Sequence, residues 1–206
     1  MDTFHYFNFN TRGDAMRMLL AKANVEYKDT RYGFDVWPEI KPTFPNQQIP
    51  CLELADGTKI GQSVTILRYF GKVNGFYPED PLQASHVDFL LETYQDVLGK
   101  FYGPFFAAED KKEAMITEIF EKTLPAFLEN ISKYIKADGF LVGDKLTIAD
   151  FWVGGLYTNF MNHAAIGFAA DKWAACKEKY PLFAAYGERF ALENEAYLSS
   201  RPVVPI

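Results

Sequence analysis

Hydrophobic and polar positions change period several times over the first seventy residues, and those changes outline the elements. Residues 3 to 9 (TFHYFNF) alternate aromatic and polar side chains, the two-residue period of a half-buried strand. RGDAMRMLLAKAN follows with apolar residues at helical spacing, and Val25 to Tyr32 (VEYKDTRY) predicts a second strand. Strand, helix and strand in that order imply a right-handed crossover and parallel pairing. Pro38, Pro42, Pro45 and Pro50 break the next stretch into turns. IPCLEL at 49 to 54, the turn dipeptide Asp56-Gly57 and Thr58 to Gly61 predict a hairpin of antiparallel strands. Ser63 is a favoured N-cap for the helix VTILRYFGKV. Residues 1–73 therefore read as βαβ, an irregular segment, then ββα.

That order matches a thioredoxin-like α/β domain. NGFYPEDP (74–81) is dense in turn formers and reads as a linker. From Leu82 onward the strand period disappears. SHVDFLLETYQDVLGKF and KKEAMITEIFEKTLPAFLENISKYI carry apolar residues at helical spacing, which predicts an all-helical second domain over 82–206. Within it Thr147-Ile-Ala-Asp150, just before FWVGGLYTNFM, has the spacing of a capping box, a folding device worth about 1 kcal/mol rather than a chemical one.

Composition removes several function classes. A chain of 206 residues with 49% hydrophobic content can build a sizeable core. Its formal charge of -6, with no dense Lys/Arg run, argues against a nucleic-acid or anionic-membrane partner. The N-terminal residues lack a basic start followed by an apolar stretch, and no apolar run approaches the roughly 20 residues that span a bilayer, so a cytoplasmic location is expected. Cys51 and Cys176 are far apart, and His5, His86 and His163 are scattered, which suggests neither a disulfide framework nor a metal site.

Particular strings narrow the choice further. YFNFNTRGDAMRMLL, WPEIKPTFPNQQIPCLELADG, GQSVTILRYFG and FLVGDKLTIADF occur in an order and spacing that resembles sigma-type cytosolic glutathione transferases, the branch that includes prostaglandin D synthases and S-crystallins. The resemblance covers most of the chain and is densest in its first part. It implies a homodimer that takes glutathione as co-substrate, with a small hydrophobic electrophile as second substrate.

Glutathione carries two carboxylates, an ammonium group and a thiol, and the resemblance offers a residue for each need. Tyr6 is implied as the catalytic hydroxyl that donates to the thiol sulfur, with Arg12 adding positive field beside it. Phe7, next to Tyr6 in the same match, is implied as a further glutathione-binding residue. Gln48, Ile49 and Pro50 match a loop before a cis-proline, where the Ile49 backbone pairs with the cysteinyl unit. Gln62 and Ser63, at the start of a helix, would hold the γ-glutamyl carboxylate. Trp37 and Lys41 would meet the glycyl end, and Asp96 would reach across a dimer interface to the ammonium group of the partner's glutathione. At the position where some family members add an acidic metal ligand stands Gln95, so no metal is expected. Taken without the resemblance, Tyr6 is a packing aromatic of a strand and Lys41 a solvated charge.

The electrophile is expected between the domains, near Phe9, Tyr102, Phe105 and Trp152, although aromatic residues at helical spacing also fill cores. Three readings remain at this point. The first is conjugation of the glutathione thiolate to hydrophobic electrophiles, a detoxification reaction. The others are a glutathione-dependent prostaglandin-type isomerase and a non-catalytic ligand-binding or structural protein on the same fold. A thiol reductase would need a cysteine in the first strand-to-helix turn, and none is there.

Overall fold

The structure, a computed structural model, describes residues 1–136, 139–163 and 169–204. Its first part is a four-stranded sheet of order β2-β1-β3-β4. Strand β1 (Thr3–Phe7) is central and runs parallel to β2 (Lys28–Tyr32), Thr3 opposite Lys28 and Phe7 opposite Tyr32. On its other side β1 pairs antiparallel with β3 (Cys51–Glu53), which turns into β4 (Lys59–Gly61). The alternation in β1 has the expected result: Phe4 and Tyr6 are buried, while Thr3, His5 and Phe7 are half-buried. The second strand is shorter than its pattern, beginning at Lys28 rather than Val25.

Helix α1 (Arg12–Lys22) is buried from Gly13 through Leu20, because it packs against the helices at Ser63–Val73, Ile148–Val153 and Glu195–Ser200, with Gly13 and Arg17 set against the Tyr6 and Phe4 rings of the sheet. The proline-rich stretch forms a short helix, α2 (Trp37–Ile40), and two single turns at Lys41–Thr43 and Pro45–Gln47. Helix α3 (Ser63–Val73) closes the first part, and here the expected cap shifts by one residue. Ser63 is the first helical residue and Gln62 takes the cap position at φ +71°, a conformation that propensity scales would not assign to glutamine. The expectation of thioredoxin-like topology followed by helices holds.

The remainder is helical: α4 (Pro81–Phe106), α5 (Glu109–Glu118), α6 (Leu124–Ile131), α7 (Ile148–Val153), α8 (Ala170–Lys179), α9 (Pro181–Glu193) and α10 (Glu195–Ser200). The run from Lys111 to Ile135 is not one helix. A wide turn at Ile119–Thr123 divides it just before Pro125, which has no N–H to give to the preceding turn. A second wide turn, Tyr157–Met161, interrupts the segment after α7. Among the described residues no helix is long and apolar enough to cross a membrane.

The capping box at Thr147 and Asp150 is formed, and Asp150 does more than cap. Its buried carboxylate accepts from the Thr147 N–H at 2.8 Å and hydroxyl at 3.0 Å, from the Leu141 N–H at 3.0 Å and from the Tyr186 hydroxyl at 3.3 Å. Burial pushes Asp150 up to about 6, against the pull of those bonds. The two parts meet closely. A Cβ on Gly71 of α3 would fall 2.4 Å from Ile148 Cγ2, and the Ile148 N–H donates to the Phe76 carbonyl at 2.9 Å. The C-terminal segment also ties back to α1. Tyr197 donates to the buried Asp14 carboxylate at 2.8 Å, and Arg201 donates both to Asp14 and to the Thr158 carbonyl.

Candidate functional site

The end of β1 and the start of α1 bring the candidate chemistry together. Tyr6 is buried, and its ring lies against Gly13, where a Cβ would come 2.5 Å from Tyr6 Cδ1, so only glycine allows this approach. The Tyr6 hydroxyl and the Thr11 hydroxyl are 3.0 Å apart. Burial raises the Tyr6 pKa, while the Thr11 hydrogen bond and the positive charges of Arg12 and Arg17 pull it back. The phenol is therefore protonated at neutral pH and available as a hydrogen-bond donor. Arg12 is half-buried with its guanidinium over the face of Tyr102, 5.5 Å from the ring centroid.

Two cavities flank this point. One, of about 320 Å³, is lined by Trp37, Lys41, Gln48, Pro50, Gln62 and Ser63 together with Phe7, Arg12 and Ile49. The Ile49–Pro50 peptide bond is cis. The Gln62 amide donates to Gln48 Oε1 at 3.4 Å, which bridges the proline loop and the start of α3. Trp37 packs edge-on to Phe7 with centroids 5.2 Å apart. Gln62 and Ser63 stand where the first N–H groups of α3 lack partners within the helix, a favourable place for a carboxylate. Gln47 also lines this cavity, at φ +52°. It was not singled out in the sequence, since nothing in a Gln-Gln pair marks which member turns inward.

The second cavity, of about 410 Å³, lies where the sheet's edge loops meet the end of α4. Tyr6, Phe9, Tyr102 and Phe105 line it, as do Phe7, Arg12 and Ile49 from the first cavity. Phe34 and Phe106, which the sequence did not single out, stand at its rim, 54% and 75% exposed. Phe7, Phe9 and Phe34 form one ring cluster with centroids 5.0 to 5.9 Å apart.

Two expected residues are placed elsewhere. Trp152 is 2% exposed and lines neither large cavity; α7 is buried throughout, and Trp152 packs edge-on to Tyr94 at 5.9 Å in the helical core. With Thr11, Arg12 and Tyr102 it borders a small void of about 10 Å³ behind the aromatic cavity. Asp96 is exposed on α4 and lines neither cavity of its own chain. Cys51 is fully buried in β3 and lines neither cavity, as befits a small core residue.

Comparison with known proteins places both parts of the chain in one family. Residues 2–72 match the model for the glutathione S-transferase N-terminal domain, and residues 95–201 match that for the C-terminal domain. The chain is 34% identical over 163 residues to glutathione S-transferase S1 of Drosophila melanogaster, an alignment that takes in 78% of this chain and 65% of the fly protein. It is 30% identical over 204 residues to the hematopoietic prostaglandin D synthase of Gallus gallus, covering 98% of this chain and 96% of that one. A solved structure of prostaglandin synthase D from Nilaparvata lugens superimposes with a TM-score of 0.85 at 27% identity, covering 98% of this chain and all of the other.

Proposed function

The chain belongs to the glutathione S-transferase family, and from that premise we propose that it holds glutathione in the polar cavity and presents the thiolate to a hydrophobic electrophile in the aromatic one. The carrying observation is that Phe7, Arg12 and Ile49 line both cavities, with Tyr6 on the aromatic side of that shared edge. A sulfur placed there would be within reach of the Tyr6 hydroxyl, of the Arg12 charge and of an electrophile.

In this reading the Ile49 backbone pairs with the cysteinyl unit, and Gln48, Gln62 and Ser63 take the γ-glutamyl end. Lys41 and the Trp37 indole take the glycyl carboxylate. Asp96, outside its own chain's cavities, completes the partner's site in a dimer. The reaction draws on no metal ion and takes place in the cytoplasm, in a cleft between domains at 1–73 and 82–206 joined by 74–81. Lowering a thiol pKa by about two units from about 8.5 takes about 2.7 kcal/mol, which one charge-assisted hydrogen bond and a nearby cation can supply. A less basic thiolate is also a weaker nucleophile, so holding the electrophile against the sulfur supplies much of the remaining acceleration.

Glutathione-dependent isomerisation of a lipid endoperoxide is a second reading. It is favoured by the nearly full-length match to proteins described as prostaglandin D synthase and prostaglandin synthase D. Tyr6→Phe tests the mechanism common to both. With a chloronitrobenzene and with a prostaglandin endoperoxide, turnover should fall about 10- to 100-fold, or about 1.4 to 2.8 kcal/mol, while glutathione still binds. Equal turnover by the two forms would refute thiol activation by Tyr6. The ratio of the two substrates in the unaltered protein then decides between conjugation and isomerisation.

A further inference from the structure

The 3.0 Å contact between Tyr6 and Thr11 raises a question of proton accounting. A phenol has one hydrogen. If Tyr6 gives it to Thr11, none is left for a sulfur; if Thr11 gives its own to the Tyr6 oxygen, the phenolic hydrogen is free to point elsewhere. The position of Thr11 bears on the choice. It occupies the cap position of α1, and its carbonyl accepts the Asp14 N–H at 3.0 Å. Threonine is favoured at that position because its hydroxyl normally accepts from the first helical N–H groups. Here the side chain makes no capping hydrogen bond. It is buried and turned to Tyr6 instead.

Both sides of the pair are held. Gly13 fixes the Tyr6 ring by its close approach, and the neighbour of Thr11 on the other side, Asn10, donates to the Pro202 carbonyl at 2.7 Å. Thr11 thus sits in a short loop pinned by the C-terminal segment at one end and by α1 at the other.

We infer that Thr11 is a positioning residue, whose hydroxyl donates to the Tyr6 oxygen and so leaves the phenolic hydrogen directed at the glutathione sulfur. The inference rests on the proposed role of Tyr6. Accepting a hydrogen bond polarises the phenol and strengthens it as a donor, by roughly 10–30% in condensed-phase estimates. The charged and titratable groups that face Tyr6 are Arg12, Arg17 and Asp14 of α1 and Tyr102 of α4. All of them remain when Thr11 is changed.

Thr11→Val keeps the shape of the side chain and removes the donor, and Thr11→Ser keeps the donor. The measurement is the ultraviolet absorbance of the thiolate of bound glutathione as a function of pH, with kcat/KM profiles alongside, in the unaltered protein, both variants, Tyr6→Phe and the Tyr6→Phe, Thr11→Val double variant. Thr11→Val should raise the bound-thiol pKa by about half to one unit, a roughly three- to tenfold loss of thiolate below it, with glutathione KM nearly unchanged. Thr11→Ser should restore the original profile. In the Tyr6→Phe background, Thr11→Val should have no further effect. An unshifted profile for Thr11→Val, or an effect of full size without the Tyr6 hydroxyl, would overturn the role of Thr11. A bound-thiol pKa unmoved by Tyr6→Phe would instead overturn the Tyr6 reading, and this inference with it.

Discussion

The two cavities differ less in size than in how their walls are made. The polar one draws all ten of its residues from four separate places, the end of β1 with the start of α1, α2 with its following turn, the proline loop and the start of α3, and most of these side chains differ in kind. In the aromatic one, six of ten residues are phenylalanine or tyrosine beyond the shared Phe7, and the rings of Phe9 and Phe34 contact each other and Phe7. Directional hydrogen bonds demand defined backbone positions, which the proline loop and the start of α3 supply. Apolar burial is non-directional and scales with area. The first wall suits one defined ligand, and the second accepts many flat or flexible apolar ones. Substitutions should therefore have steep effects on one side and shallow effects on the other.

Arg12 tests that contrast most severely because it lines both cavities. Its guanidinium rests on the Tyr102 face and, among the described residues, pairs with no carboxylate, which leaves its charge for a developing thiolate. Arg12→Ala should lower kcat/KM about 10- to 100-fold with every electrophile tried, and raise the pKa of bound glutathione. Since that pKa would be higher, the lost activity should partly return as pH rises toward it. A loss confined to one electrophile, with an unchanged pH profile, would show that Arg12 shapes the aromatic cavity only.

Asp96 carries a smaller prediction about the polar side. It is exposed on α4 and lines neither cavity of its own chain, so in the proposed reading its effect on glutathione comes through a second copy of the chain. Asp96→Ala should raise glutathione KM about three- to fivefold, the worth of about 1 kcal/mol for a partly exposed ion pair, with electrophile KM unaltered. Sedimentation would need to show the variant still dimeric. Unchanged glutathione affinity in an intact dimer would remove Asp96 from the site.

How much could be read from the chain follows the same division. The alternation of TFHYF, the first five residues of the expected 3–9 strand, the Asp56-Gly57 turn and the spacing of Thr147 and Asp150 are local patterns with local causes, and each appears in the structure. Gln48, Ile49 and Pro50 could be singled out only through the resemblance, since an isolated Ile-Pro bond gives no sign of being cis. The cap at Gln62 is not legible because its φ of +71° is one that the preference of glutamine does not signal. Phe106 and Trp152 show the limit most plainly. Both are aromatic residues at helical spacing, yet one stands open at a rim and the other is sealed in the core. Which neighbours cover a ring is a tertiary fact that periodicity does not contain.

Phe106 also gives the mildest test. At 75% exposure it contributes little to the fold, so Phe106→Ala should leave the melting temperature nearly unchanged. Full burial of such a side chain is worth about 1.5–3 kcal/mol, and a ligand at the rim would cover only part of it. A loss of about 0.5–1 kcal/mol predicts a roughly two- to fivefold rise in electrophile KM, larger for a long apolar substrate than for a chloronitrobenzene. Glutathione KM should not move, because Phe106 lies outside the polar cavity. If both KM values rose together, the two cavities would be acting as a single site, and the contrast between a selective wall and a tolerant one would fail at its outer edge.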